Sequence, residues 1–141
     1  MPVAKKPEFD LKRMQAAAGP YPLEAFEFVR HGLSHTSGKL HEDRAQTGAL
    51  ESADRHVTGQ QLCIGLLDFA IDRYGLLAPT VLERWNVGRT EDFGRIVFAL
   101  IDEGLMSRTQ DDRIEDFRGV YDFAEVFSAD AMRRRILGAR A

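Results

Sequence analysis

The chain has 141 residues, of which 44 % are apolar and 29 % are charged, and its formal net charge is −3; these values suit one soluble globular domain. No apolar run approaches the ~20 residues that span a bilayer, no apolar segment typical of a secretory signal follows the first lysines, and the one cysteine, Cys63, excludes an intramolecular disulfide. We therefore expect a cytoplasmic protein that does not enter a membrane.

The N-terminal part of the chain predicts one helix between two flexible segments. Residues 1–19 are polar and predict a flexible tail ahead of a single domain over 20–127. That domain opens with a helix over 21–36, because apolar residues recur there at helical spacing. The apolar positions are Leu23, Phe26, Val29 and Leu33. Residues 37–57 are polar without a sustained period, so they bury too little surface to offset chain entropy and predict a flexible loop.

A second helix begins at a capping box formed by Thr58 and Gln61. The Thr58 hydroxyl can accept from the amide at the third helical position, and the Gln61 side chain can reach back to the cap. Apolar residues occupy most sides of this helix over 62–71, which is typical of a buried central helix. Gly75 is placed to end it.

Two more helices follow in the sequence. A short helix has Pro79 in its first turn and closes near Asn86. A longer helix over 90–103 begins at Thr90, a residue type favoured as an N-cap, and ends at Gly104. The apolar stripe of this helix consists of Phe93, Ile96, Val97, Leu100 and Ile101.

The chain after Gly104 predicts a β-hairpin, because residues 105–109 and 113–117 read as short strands around a polar turn. The segment "LIDEGLMSRTQDD" also resembles the helix-to-wing junction of winged-helix proteins. The element order therefore predicts a mostly α fold with a small β-hairpin: a winged helix-turn-helix-like core over 58–127 plus the N-terminal helix. The alternative is a helical domain with an incidental hairpin. Residues 128–141 are either a basic tail or a short helix.

A longer resemblance covers residues 22–127. It is carried by "FVRHGLSHT", "HVTGQQLCIGLLDFA", "YGLLAPTVLERW", "DFGRIVFALIDEGLM" and "DFRGVYDFAEVF". These segments are similar to those of an uncharacterised family of small bacterial proteins. The resemblance implies a bacterial cytoplasmic protein and implies no activity. In that family an aromatic residue usually precedes the Thr of the first segment; this chain has His35 there, which weakens the case for a required ligand at that position.

A winged helix suggests nucleic-acid binding, but the charge of this domain argues against it. Residues 58–127 contain seven arginines, no lysine and thirteen acidic residues. Affinity for DNA depends on cationic side chains that displace counterions from phosphates. A DNA-binding transcriptional regulator is therefore the alternative rather than the preferred function. Its candidate contacts are Arg89, Arg95, Arg108 and Arg113.

The histidines carry a weak signal for a metal site. His31 and His35 have the i, i+4 spacing that lets two imidazoles share an ion on one helix face, and His41 and His56 lie farther along the chain. Because no second cysteine and no H-E-x-x-H motif accompany them, we expect no metal and no cofactor.

The sequence also contains no recognisable catalytic motif, and we expect a protein that is not an enzyme. Cys63 lies in the predicted buried helix, and Ser34 and His35 are only sequence neighbours. A deep pocket with several convergent titratable groups would instead favour an enzyme.

Binding to a protein partner is the preferred function by elimination. Aromatic residues are concentrated in the C-terminal half, and buried aromatics dominate the energetics of protein interfaces. Trp85 and Tyr121 are the candidate partner-binding residues. The partner is a protein of unknown identity or a second copy of the chain.

Overall fold

All regular structure in the described part of the chain is helical. The structure is a computed structural model that describes residues 9–47 and 56–138, and none of these residues is in a β-strand. The α-helices are α1 (Leu11–Ala18), α2 (Leu23–Thr47), α3 (Gly59–Tyr74), α4 (Ala78–Arg84), α5 (Thr90–Asp102), α6 (Phe123–Val126) and α7 (Ala129–Gly138), with 3-10 helices at Gly75–Leu77 and Ile114–Phe117. The prediction of a mostly helical chain is confirmed.

Helix α1 lies where the sequence predicted a flexible tail. Asp10 caps the helix, because its carboxylate accepts a hydrogen bond from the Arg13 N–H at 3.2 Å. Met14 is fully buried, and α1 packs against α5. The prediction is thus corrected for Leu11–Ala18, while residues 1–8 lie outside the described part of the chain.

Helix α2 starts where the apolar spacing predicted and is longer than expected. Its second half replaces the first part of the flexible loop predicted over 37–57. Polar residues are compatible with a helix that presents one side to solvent, and Lys39 pairs with Asp68 of α3 at 3.9 Å. Residues 48–55 of the predicted loop lie outside the described part of the chain.

Helices α2 and α3 cross at a contact that only small residues permit. A Cβ added to Gly65 would lie 1.9 Å from Thr36 Oγ1, and one added to Gly32 would lie 2.2 Å from Leu66 Cδ2. The Thr36 hydroxyl donates to the Gly32 carbonyl at 2.8 Å, so this buried polar group is satisfied within its own helix. The two glycines therefore set the separation of the two helices.

Helix α3 has the ends that the sequence predicted. The Thr58 hydroxyl accepts from the Gln61 N–H at 3.1 Å, and the Gln61 side chain accepts from the Thr58 N–H at 2.9 Å. Gly75 ends the helix with a φ of 56°, in the left-handed region that glycine adopts at low cost. Leu66 and Ala70 are fully buried, which confirms the central position of α3.

The start of α5 differs from the predicted Thr90 cap. The Asp92 carboxylate instead accepts the N–H groups of Gly88 and Arg89 at 2.8 and 3.1 Å. Asp92 is buried, and its other oxygen accepts from the Tyr21 hydroxyl at 2.5 Å. Asp92 therefore joins the segment before α2 to the first turn of α5. The Thr90 hydroxyl instead donates to the Phe117 carbonyl.

The predicted wing is wrong, because the segment 105–117 forms turns and a 3-10 helix. The Asp112 side chain accepts from the Thr109 N–H at 2.7 Å, and the Asp116 side chain accepts from the Arg113 N–H at 3.1 Å. Aspartate side chains commonly satisfy nearby amides in this way and so compete with a strand ladder. These local hydrogen bonds hold the backbone in turns rather than in two paired strands.

The C-terminal segment 128–141 contains a helix, which was one of the two alternatives. Met132 of α7 is buried, and Arg135 forms an ion pair with Asp68 of α3. This contact fixes α7 against the same carboxylate that pairs with Lys39. Residues 139–141 lie outside the described part of the chain.

The α2–α3 crossing makes a prediction for stability. Gly65→Ala should lower the free energy of unfolding by about 1–3 kcal/mol, because the added methyl group overlaps Thr36. Gly38→Ala is the matched control, since a Cβ at this α2 position meets no atom within 4 Å. It should raise stability by up to about 1 kcal/mol, as alanine favours a helix more than glycine does. Urea unfolding of both variants measures the difference, and equal effects would contradict the crossing.

The Tyr21–Asp92 contact makes a prediction for alkaline pH. Burial and the Asp92 carboxylate raise the pKa of Tyr21 from 10.0 to about 12. Because the folded value is the higher one, this stabilisation is complete below pH 10 and is lost as the pH rises through 12. Tyr21→Phe should cost about 1–2 kcal/mol at pH 8, and the difference from the unaltered protein should shrink between pH 10 and 12. Unfolding curves at each pH measure it; a constant difference would contradict the contact.

Candidate binding pocket

An open cavity of about 390 Å³ lies between α2, the start of α3, the second half of α5 and the segment 105–117. Its inner surface is mainly apolar, and six of the side chains that form it are Leu33, Leu62, Val97, Ile101, Leu105 and Met106. Its lining also includes His56, Asp112, Arg113 and Asp116. We call these four residues the rim, and we call the cavity the acidic pocket because two of them are carboxylates. The volume falls in the range of roughly 300–1,000 Å³ that is usual for ligand sites.

One wall of the acidic pocket is held in place by Phe117. This buried residue lies against two glycines, where an added Cβ would lie 2.9 Å from Phe117 Cβ at Gly94 and 3.0 Å from Phe117 Cε2 at Gly59. The Thr90 hydroxyl donates to the Phe117 carbonyl at 2.6 Å and accepts from the Val120 N–H at 3.2 Å. We call this set of contacts the Phe117 seat. It fixes the second 3-10 helix against α3 and α5.

A histidine and an aspartate close one side of the rim. His56 Nε2 lies 2.9 Å from Asp112 Oδ1, which joins the segment before α3 to the segment after α5. The Arg108 guanidinium donates to the Asp112 carbonyl at 3.0 Å and lies 5.3 Å from the ring centre of Phe98. Both contacts hold the 105–117 segment in the shape that forms the pocket.

The rest of the rim has one charge of each sign, and the segment that carries it is acidic. Asp116 and Arg113 line the pocket, and the region 102–116 contains six acidic residues and two arginines. Arg108 is engaged in the contacts just described. The field at the pocket mouth therefore favours positively charged groups over anions.

The pocket does bring titratable groups together, but their contacts do not form an activated nucleophile. Among the described residues, His56 has Asp112 as its one hydrogen-bond partner, and no hydroxyl group bonds to its ring. Cys63 is buried elsewhere in α3, where desolvation and the charge of Glu91 raise the pKa of its thiol to about 12. A protonated thiol is a poor nucleophile. His35 lies over Phe69, with 5.1 Å between ring centres, away from the acidic pocket.

The histidines are distributed over separate surfaces. His56 lies at the acidic pocket and His35 lies in a different groove, between α2 and α3. In residues 9–47 and 56–138, no group of three or more His, Cys, Asp or Glu side chains is arranged to hold a metal ion.

The two predicted partner-binding residues have contacts within the protein. Trp85 is half-buried, with its ring centre 5.3 Å from that of Phe28 and 5.9 Å from that of Tyr74. The Tyr121 hydroxyl donates to the Cys63 carbonyl at 2.7 Å, and burial raises the pKa of Tyr121. These residues stabilise the fold, and neither lines the acidic pocket.

The four arginines of the DNA-binding alternative do not form one free cationic surface. Arg95 pairs with Asp92 at 3.6 Å. Arg108 is held by the 105–117 segment. Arg89 and Arg113 are exposed. The wing that would have carried two of these arginines into a groove is replaced by turns.

The residues at the rim are the ones that sequence reasoning missed. His56 and Asp112 are far apart in the chain, and the only local signal is the acidic segment "DDRIED", which begins in the turn of the predicted hairpin. Neither residue belongs to a motif that indicates a pocket.

The chain matches no family model, no curated protein and no solved structure at a significant level. The resemblance to an uncharacterised bacterial family therefore stays a prediction. Among the residues that the structure describes, none of the helices combines the length and the apolar content that a membrane crossing requires.

Proposed function

We propose that this chain is a non-catalytic protein-interaction module and that the acidic pocket receives an apolar side chain of the partner. The observation that carries the proposal is an open, mainly apolar cavity of about 390 Å³ whose lining also contains charged residues. An apolar centre surrounded by polar groups is the usual arrangement of an interaction hot spot.

A protein partner suits this pocket better than an enclosed small molecule. Ile114, next to the rim residue Arg113, is a large apolar side chain that is 45 % exposed. Residues 107–111 beside the mouth are also exposed. A partner that covers this surface would bury Ile114 together with the pocket, whereas a small ligand would leave it in water.

Neither catalysis nor DNA binding has comparable support. The pocket has no activated nucleophile among its described contacts, and its mouth is acidic where a DNA-binding site needs cations. We place the module in the bacterial cytoplasm, as the resemblance implies; the single, buried cysteine suits a reducing compartment.

Filling the pocket should weaken partner binding. Ser37 of α2 lines the acidic pocket, so Ser37→Trp places a large ring inside it. Ser34→Trp is the matched control, because Ser34 lies one turn earlier on α2 and faces a different groove. Thermal unfolding would first establish that both variants fold.

The measurement is quantitative mass spectrometry of proteins that each variant captures from a lysate of the source organism. At least one protein should be recovered about tenfold less with Ser37→Trp, the loss expected for one hot-spot contact of about 1.4 kcal/mol. The same protein should be retained by Ser34→Trp. If every captured protein is recovered equally by Ser37→Trp and the unaltered chain, the proposal fails.

A further inference from the structure

We infer that the acidic pocket selects a partner segment in which a lysine or arginine lies next to the apolar side chain that enters the pocket. This inference rests on the proposed function of the pocket and adds the chemistry of the partner. It follows from the charge of the rim, from the hydrogen bonds that the rim carboxylates already make, and from the apolar interior.

The charge around the mouth of the pocket is negative overall. Asp112 and Asp116 line the mouth, and Asp111 and Glu115 are exposed beside it. Of the two arginines in this region, Arg108 is engaged by Phe98 and by a backbone carbonyl, and Arg113 lines the mouth as one positive charge against these four carboxylates. A cationic segment is therefore attracted to the mouth, and an anionic one is repelled.

The two rim carboxylates differ in what they can still bind. Asp112 accepts from His56 with one oxygen and from the Thr109 N–H with the other. Asp116 accepts from the Arg113 N–H through Oδ2 alone, and no described residue donates to its Oδ1. A carboxylate can accept about four hydrogen bonds.

Asp116 is also half-buried, with its Cβ packed close to the backbone of Gly59. The position of its side chain is therefore restricted before any partner arrives. A cationic donor at Oδ1 would form a charge-assisted hydrogen bond at the edge of an apolar cavity, where water screens it less than on an open surface.

Two neighbouring groups on the partner are thus recognised together. The apolar side chain fills the cavity between α2 and α5, and the basic side chain beside it reaches Asp116. The arrangement discriminates against acidic segments by repulsion and against neutral ones by leaving Oδ1 without a charged donor.

The test begins with selection of a displayed library of random nonapeptides on the full chain. The same selection on Ser37→Trp and Ser34→Trp identifies the peptides whose binding depends on the pocket. We expect those peptides to be enriched in an apolar residue with Lys or Arg as its neighbour. The most enriched peptide, labelled with a fluorophore, then serves as the probe for anisotropy titrations.

The titrations compare Asp116→Asn with Asp122→Asn. Both aspartates accept a backbone N–H at the start of a short helix, and an asparagine oxygen can replace that acceptor. Asp122 lies outside the pocket. The Kd of the basic probe should rise about tenfold with Asp116→Asn and change less than about twofold with Asp122→Asn. The Asp116 effect should vanish for a probe whose basic residue is replaced by glutamine.

The possible results separate this inference from the proposed function. Pocket-dependent peptides that are neutral or acidic would overturn the inference and leave the proposed function standing. Basic peptides that bind Ser37→Trp as well as the unaltered chain would show general attraction to an acidic surface, which also overturns it. If no peptide depends on the pocket, the proposed function fails and this inference with it.

Discussion

The rest of the structure depends on the Phe117 seat. The Phe117 ring lies against Gly59 of α3 and Gly94 of α5, and the Thr90 hydroxyl donates a hydrogen bond to the Phe117 carbonyl. Glycine is needed at both positions because a Cβ would overlap the ring or its stem. The buried hydrogen bond is costly to leave unmade, so the chain after α5 returns to the helices at this point. Residues 103–116, between α5 and Phe117, must then form a short loop that folds back onto these helices.

The loop of residues 103–116 forms part of the surface on which the proposed function depends. A free hairpin would project its charges into solvent, whereas this loop places Asp112 and Asp116 beside an apolar cavity. His56 contacts this loop through the Asp112 carboxylate. The result is a cavity whose interior attracts apolar groups and whose rim attracts cations. Such a surface is poorly suited to a polyanion and well suited to a basic, apolar segment of a protein.

The elements that the sequence predicted correctly are those determined by local chemistry. The capping box of Thr58 and the glycine that ends α3 depend on residues a few positions apart, and so does the apolar stripe of α5. The prediction of a wing was wrong because the alternation of apolar and polar residues does not reveal that aspartate side chains will compete for the strand amides. Helix α1 was missed although Asp10 offers a cap and Leu11, Met14 and Ala18 lie at helical spacing, because so short a helix is stable only when it packs on α5. The pocket joins His56 to Asp112 and Thr90 to Phe117, pairs that no local period connects.

Phe117 is fixed between α3 and α5, and residues 105–117 of the described chain form no wing. A nuclear Overhauser spectrum of the isotopically labelled chain is the sharpest test of both statements. We expect cross-peaks from the Phe117 ring to the Hα protons of Gly59 and Gly94, since these groups lie in contact. Cross-strand Hα–Hα contacts between residues 105–109 and 113–117, with no cross-peak from Phe117 to either glycine, would contradict it.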